Sequence, residues 1–471
     1  MWELEKYDGR TAIIDDKGVQ ATYHDLEAVQ QKMAAVIGRR TLVISLCRNS
    51  IGSVAGYAAL INLRIVPVML NANLEASLME NLFSIYLPAY IWLPSDMASG
   101  DIFAGMEKVY SEYDYSLLKT AYSKEYPMYG ELGLLLTTSG STGSPKFVRQ
   151  SYTNILSNAQ SIVSYLKIDE RERPVTTLPM NYTYGLSIIN SHLLVGASIL
   201  VTEKSLMQKE FWTFFREQKA TSFGGVPYTY EMLDRLRFTE MELPSLRTMT
   251  QAGGKLTVEL HAKFAEYAAK NEKQFVLMYG QCEATARMGY LPAKMSVQKC
   301  GSMGIAIPGG KFTLIDAQGL PIKETYTTGE LVYEGENVTL GYAECGEDLL
   351  LGDDRGGVLH TGDMAQFDED GFYYIVGRKK RFLKVYGNRV NLDEIDRLVK
   401  GAFGGIECAA AGVDDHLYIF ITEKELKKEI KSFVVEKTKL NPAAFHMVII
   451  DEIPKNDAGK ILYKELEKYY R

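Results

Sequence analysis

The stretch LLLTTSGSTGSPKF, from Leu134 to Phe147, joins an apolar run to a series of small hydroxyl and glycine residues that ends in a lysine. Thr138, Ser139, Gly140, Ser141, Thr142, Gly143 and Ser144 offer hydroxyls and a flexible backbone, and Lys146 adds a mobile positive charge. These types suit phosphate. Glycine lets the backbone adopt positive φ and approach closely, backbone N–H groups and hydroxyls donate to phosphate oxygens, and the ammonium serves as a point charge for the outer groups. The loop matches neither the P-loop nor the dinucleotide fingerprint, because no Gly-Lys pair is followed by Ser or Thr and no G-x-G-x-x-G occurs. A Ser/Gly linker has the same composition. The rest of the chain has to decide between them.

Any such loop needs a scaffold, and the flanking sequence describes one. TLVISL (41–46), SVAGYAALINL, VPVML and later ASILVT alternate short β-branched runs with longer helical patterns. This is α/β wiring with mostly parallel strands, whose carboxyl ends usually form the ligand crevice. After about Gly301, KFTLID, GELVYEG and FYYIVG read as short strands of a small barrel or meander. A basic, glycine-bounded passage, GRKKRFLKVYG, leads to a tail in which NLDEIDRLVK and EKELKKEIKSFVVEKTK read as helices. The expected architecture is a large α/β domain with a small β-barrel subdomain over residues 1–378, followed by a small α+β domain over 379–471.

Composition narrows the class. A chain of 471 residues with 46% hydrophobic and 24% charged residues has the profile of a globular protein of more than one domain. A net charge of -7 without a basic stripe argues against nucleic acid as a partner. No apolar run is long enough for a bilayer, and MWELEKYDGR lacks the features of a secretion signal, so a cytoplasmic protein is expected. The five cysteines form no C-x-x-C pair, which argues against a zinc site and a disulfide framework.

T-S-G-S-T-G-S-P-K also resembles the signature loop of the adenylate-forming superfamily, which includes acyl-CoA synthetases, aryl-acid ligases, adenylation domains and luciferases. The family's other motifs follow in order across most of the chain. AGGK (Gly253, Gly254 and Lys255 after Ala252) is similar to the segment beside adenine. YGQCEA (Tyr279, Gly280, Gln281, Cys282, Glu283) resembles Y-G-x-T-E, which implies that Tyr279 stacks near adenine and Glu283 holds Mg²⁺, with Cys282 in place of the usual threonine. Mg²⁺ takes hard oxygen ligands and keeps company with phosphate oxygens, so a carboxylate is the fitting residue type. HTGD implies Asp363 as the ligand of the ribose hydroxyls, and the GRKKRFLKVYGNRV that follows implies Arg378 as a second nucleotide contact, Lys380 as the hinge of a mobile C-terminal domain, and Gly387 beside a pantetheine tunnel. PKNDAGKI implies Lys460 as the lysine that enters the site during adenylation. An ammonium bridging a carboxylate and an α-phosphate stabilises the charge that develops as the two negative groups meet.

LPMNYTYGLS occupies the place of the family's P-x-x-H-x-x-G segment, with Tyr182 where histidine is common. The resemblance implies an acyl pocket lined by Asn181, Tyr182, Tyr184, Gly185, Gly224 and Gly225. No aspartate lies between Pro179 and Ser187 to pair an α-ammonium, so a plain carboxylic acid is the expected substrate. The implied reaction uses ATP and Mg²⁺ to make acyl-AMP and pyrophosphate, then passes the acyl group to a thiol. With the chain ending eleven residues after Lys460, an acceptor from outside the chain is expected: CoA is favoured, and the phosphopantetheine of a separate acyl or aryl carrier protein is the alternative. A luciferase-like oxidation and a catalytically silent nucleotide-binding protein are the rival readings.

Overall fold

The apolar runs read as strands are strands with both faces covered. Leu42–Cys47 is buried at every residue and pairs in parallel with Val66–Asn71 on one side and Tyr90–Pro94 on the other. A strand buried on both faces carries a continuous apolar run in place of alternation. The helix between the first two, Ile51–Asn62, is buried from Ile51 through Ile61, as a helix apolar all round must be. It crosses the sheet so closely that a Cβ at Gly56 would lie 2.0 Å from Trp92 Nε1, which leaves room only for glycine.

The computed structural model describes residues 1–137, 146–386, 388–455 and 461–470, with the backbone alone at 380, 382, 388 and 389. The loop residues Thr138, Ser139, Gly140, Ser141, Thr142 and Gly143, together with Gly387, Lys460 and the side chain of Lys380, lie outside the described residues.

The chain divides into two units, Met1–Phe312 with Tyr333–Leu359, and Thr313–Val332 with His360–Arg471. The first unit holds an eight-stranded and a nine-stranded sheet. Both contribute to one core with the helices Tyr23–Ile37, Ile51–Asn62 and Thr183–Leu194, seen in the shared burial of Val43, Trp92, Met33, Leu60, Ile189 and Ile199. In the nine-stranded sheet, Ser222–Gly225, Thr248–Gln251 and Gln274–Tyr279 run parallel with Gly225, Gln251 and Leu277 abreast. This register brings FGGVP, QAGGK and YGQCEA together at one sheet edge, although the outer two are separated by about fifty residues of chain.

The strand-rich stretch after residue 301 yields a four-stranded sheet in the order Lys311–Ile315, Gly329–Glu334, Val358–Phe367, Tyr373–Arg378. The intervening strand Gly341–Ala343 leaves it to pair antiparallel with Phe147–Ser151. In the second unit, the hairpin Phe382–Val385 and Asn388–Asn391 precedes a three-stranded sheet of Cys408–Val413, His416–Ile421 and Phe445–Ile449, packed with the helices Leu392–Ala402 and Lys427–Thr438. Arg381, almost fully buried, ties this region by donating to Asp393 at 2.7 Å and Asp396 at 2.6 Å while its plane lies 3.9 Å from the Tyr463 ring. No helix among the described residues is long and apolar enough to cross a membrane.

Candidate active site

Three parallel strands end together, and at or just beyond each end stands a glycine with its own steric reason. Gly253 sits at φ +83, a left-handed conformation that side chains rarely adopt, and a Cβ there would lie 2.7 Å from the Tyr182 hydroxyl. At Gly280 a Cβ would fall 1.6 Å from the carbonyl oxygen of Ala286. At Gly224 it would meet Tyr184 Oη at 2.8 Å and Ile188 Cδ1 at 2.9 Å. The AGGK turn is held from below by Gln251, whose Nε2 donates to the carbonyls of Ala252 and Gly254 at 3.1 and 3.0 Å. Lys255 is exposed beyond it.

The YGQCEA segment leaves the strand as a short 3₁₀ turn, Cys282–Ala284, and then bends sharply through Thr285 and Ala286, both at positive φ. Such backbone is retained only where its surroundings over-determine it. Here Asn337 donates to the carbonyls of Ala284 and Arg287 at 2.7 and 3.0 Å, and Thr285 Oγ1 donates to Asn337 O at 2.8 Å. Cys282, in the usual threonine position, is buried.

Glu283 is held at its backbone and offered at its carboxylate. Its carbonyl accepts from the amide and hydroxyl of Thr339, each at 3.0 Å, and from Arg355 Nη1 at 2.9 Å. Its Oε1 accepts from the Tyr342 hydroxyl at 2.7 Å. Two cations pack on the Tyr342 ring, Lys146 Nζ at 4.2 Å and the Arg355 guanidinium at 4.8 Å from its centroid. Burial, with the nearby Glu283 carboxylate, pushes the Tyr342 hydroxyl up to about 12, so it stays a donor to Glu283 at neutral pH. Lys146 also lies 3.4 Å from Glu344. The lysine that ends the phosphate-loop motif and the carboxylate proposed for the metal are therefore linked through one tyrosine.

Tyr342 reaches this place through strand pairing. It stands opposite Val148 in the antiparallel pair of Gly341–Ala343 with Phe147–Ser151. The fully buried Arg149 secures that pair by donating to the carbonyls of Leu340, Tyr342, Leu351 and Gly352 and by pairing with Asp354. Sequence reading missed Tyr342, Arg355, Thr339, Asn337 and Gln251. Asn337, Thr339 and Tyr342 share one glycine-punctuated run, ENVTLGYAE, whose residues gain meaning from the strand beside them, while Gln251 directly precedes AGGK and Arg355 lies in the turn GDDRGG.

The residues assigned to the acyl pocket gather on the first turn of the helix Thr183–Leu194 and on the end of strand Ser222–Gly225. Tyr182 caps the helix with backbone geometry alone and turns its half-buried ring toward Gly253. Asn181, one residue earlier, is also half-buried. Tyr184 is buried, and its hydroxyl lies 2.7 Å from Thr250 Oγ1. Gly185 is required by packing, since a Cβ would come within 2.3 Å of Pro179 O. Gly225 sits against Thr229 and Tyr230 in the same way. Tyr279, half-buried, packs edge-on to Phe312 at 6.2 Å, and its hydroxyl lies 3.4 Å from Gln281 Nε2.

In the second unit, Asp363 and Arg378 stand directly opposite each other across an antiparallel pair. Asp363 is buried and its Oδ1 lies 3.2 Å from the Nε of the exposed Arg378. The two expected nucleotide contacts are fifteen residues apart in the chain, and a hairpin makes them neighbours.

Residues 93–343 match the family model of the AMP-binding enzymes. The oxalate–CoA ligase of Arabidopsis thaliana is 28% identical over 355 residues, 72% of this chain and 67% of that protein. A 2-succinylbenzoate–CoA ligase of a Geobacillus strain is 23% identical across 98% of this chain and 94% of its own. Among solved structures, O-succinylbenzoate coenzyme A synthetase of Bacillus subtilis in complex with AMP superposes with a TM-score of 0.79 at 20% identity, covering 99% of this chain and 97% of that one. The fold is that of the adenylate-forming enzymes. With the family model spanning more than half of its length, the chain belongs to the AMP-binding enzymes of the adenylate-forming superfamily.

Proposed function

We propose that this protein is an AMP-forming acid–thiol ligase: it joins a carboxylic acid to the α-phosphate of MgATP, releases pyrophosphate, and passes the acyl group to CoA. The observation that carries this reading is the Lys146–Tyr342–Glu283 arrangement beside the AGGK and YGQCEA turns. It sets an ammonium and a carboxylate on one support at the crevice of a parallel sheet. The donor set suits Mg²⁺, which binds through one or two carboxylates and substrate phosphates, and Tyr342 occupies one oxygen of Glu283 while the other faces no partner among the described residues. When bound, the ion would neutralise charge on the phosphates. Asp363 binds the ribose, Arg378 follows it, and the Thr138–Gly143 loop takes the phosphates that depart.

In the same reading, residues 1–378 form the adenylation domain, and residues 379–471 form a smaller domain that turns about Lys380 to exchange Lys460 for the Gly387 region between the two half-reactions. A separate carrier protein in place of CoA is the second possibility for the acceptor. The five cysteines are all free thiols, as in a reducing compartment, which supports a cytoplasmic enzyme.

A panel of aryl, short-chain and medium-chain carboxylic acids, assayed for ATP-dependent pyrophosphate release with CoA or a carrier protein, tests the reading. Release with at least one acid and thioester formation with CoA are expected. Absence of a hydroxamate with every acid in the presence of ATP and hydroxylamine would overturn it. Tyr342→Phe tests the support of the metal ligand. Loss of a hydrogen bond of about 1 kcal/mol to Glu283 should raise the Mg²⁺ concentration for half-maximal pyrophosphate release about fivefold, with little change at saturating Mg²⁺. An unchanged Mg²⁺ dependence would separate Tyr342 from the metal.

A further inference from the structure

Arg287 ends the strained turn after Glu283 and is 2% exposed, yet every partner of its guanidinium among the described residues is neutral. Its Nε donates to Ser187 Oγ at 3.0 Å, its Nη1 to Tyr165 Oη at 3.2 Å and toward Met278 Sδ at 3.2 Å, and its plane lies 5.2 Å from the Tyr184 ring. A buried cation usually has a charged or strongly polar counterpart. On the helix Thr183–Leu194, His192 is equally buried. Its Nδ1 lies 2.7 Å from Ile188 O, an atom that can only accept, so Nδ1 carries the proton and Nε2 is left as an acceptor. That Nε2 has no hydrogen-bond partner among the described residues. Burial first, with Arg287 adding to it, lowers the imidazole to about 4, so the ring is neutral at physiological pH.

Both groups line one cavity of about 20 Å³, with Ile188, Phe223, Thr250 and Glu172 on its walls, room for a single water-sized group. The Glu172 carboxylate is already engaged by Thr221 Oγ1 and lies 3.4 Å from Arg247. The cavity adjoins the acyl pocket, because Ile188 and Tyr184 both abut Gly224 and Tyr184 Oη contacts Thr250. A second carboxylate on the substrate would satisfy Arg287 but would set its oxygens against the lone pair of His192 and share the cavity with Glu172. An amine would suit His192 but meet the Arg287 charge. A hydroxyl answers both demands, since its oxygen accepts while its proton is donated.

We propose that the acid activated by this protein carries a hydroxyl on its tail, seated between Arg287 and His192, accepting from the guanidinium and donating to His192 Nε2. The proposal rests on the acid-activating function above. The test compares kcat/KM for pyrophosphate release across matched sets of unsubstituted, hydroxylated and dicarboxylic acids of three to eight carbons, with His192→Leu as the variant. The hydroxy acid of one length should exceed its unsubstituted partner on the order of a hundredfold, because the bare analogue leaves buried polar groups unpaired. In His192→Leu that ratio should fall to about threefold or less, as the acceptor for the hydroxyl proton is gone. Equal values for the unsubstituted and hydroxylated acids, a preference for the dicarboxylic acid, or a ratio retained in His192→Leu would each overturn the hydroxyl and leave the ligase reading standing. Should the variant fail to fold, the wild-type ratio decides alone. Release with none of the acids would overturn the ligase reading itself, and this proposal with it.

Discussion

Replacing Lys460 by alanine is expected to lower acid-dependent pyrophosphate release on the order of 10²–10³-fold, while the reaction of supplied acyl-AMP with CoA stays within a few-fold of the parent rate. The asymmetry follows from the charges. In the first half-reaction a carboxylate attacks an α-phosphate, two anions are brought together, and an ammonium between them is worth most as the bond forms. In the second, a thiol displaces AMP from a mixed anhydride that already exists, and that bridging charge has no equivalent task. Measuring both half-reactions on the same preparation, the first by pyrophosphate release and the second by thioester formation from acyl-AMP, separates the two. Equal loss in both would show that Lys460 serves folding or nucleotide binding in general, and would remove the basis for exchange of the small domain between steps.

Gly280→Ala should be as damaging by a wholly steric route. The added methyl would fall 1.6 Å from Ala286 O and 3.0 Å from Arg287 Cα, atoms of backbone that cannot rotate aside. Either the turn at Thr285 and Ala286 moves, taking Glu283 with it, or the strand end does. Overpacking of this kind costs about 1–3 kcal/mol where side chains can yield, and more where only backbone can. The expected result is a fall in acid-dependent pyrophosphate release on the order of 10²-fold with a clear drop in Tm, read by thermal unfolding beside the activity assay. Activity within a few-fold of the parent would mean that the turn has space the structure does not display.

The two predictions sit at opposite ends of what could be read from the chain. Lys460 is visible in sequence because its neighbours, PKNDAGKI, resemble a motif with a known place in the family. Gly280 is visible as a motif letter, but its reason is not: the atom that excludes a side chain belongs to a residue that returns to it only through two left-handed backbone conformations. The same holds for the α/β wiring. Continuous apolar runs such as LVISLC indicate strands covered on both faces, and they are such strands. Which strands neighbour which was not legible, since Leu42–Cys47 lies between the two strands that follow it, and Ile199–Val201 lies beside Thr11–Asp15.

The sequence by itself determined the local chemistry: where glycine permits tight turns, where carboxylates and cations fall in family order, and that the reactive segments follow strands. These properties depend on residue type and near neighbours, so they survive without a fold. Only the tertiary structure decided that Tyr342 and Arg355 share a site with Lys146 and Glu283, and that Arg287 and His192 face one cavity. Those meetings arise from strand register and from the packing of a helix against a sheet, which join residues up to about two hundred positions apart, and no periodicity in the chain encodes a distance of that length.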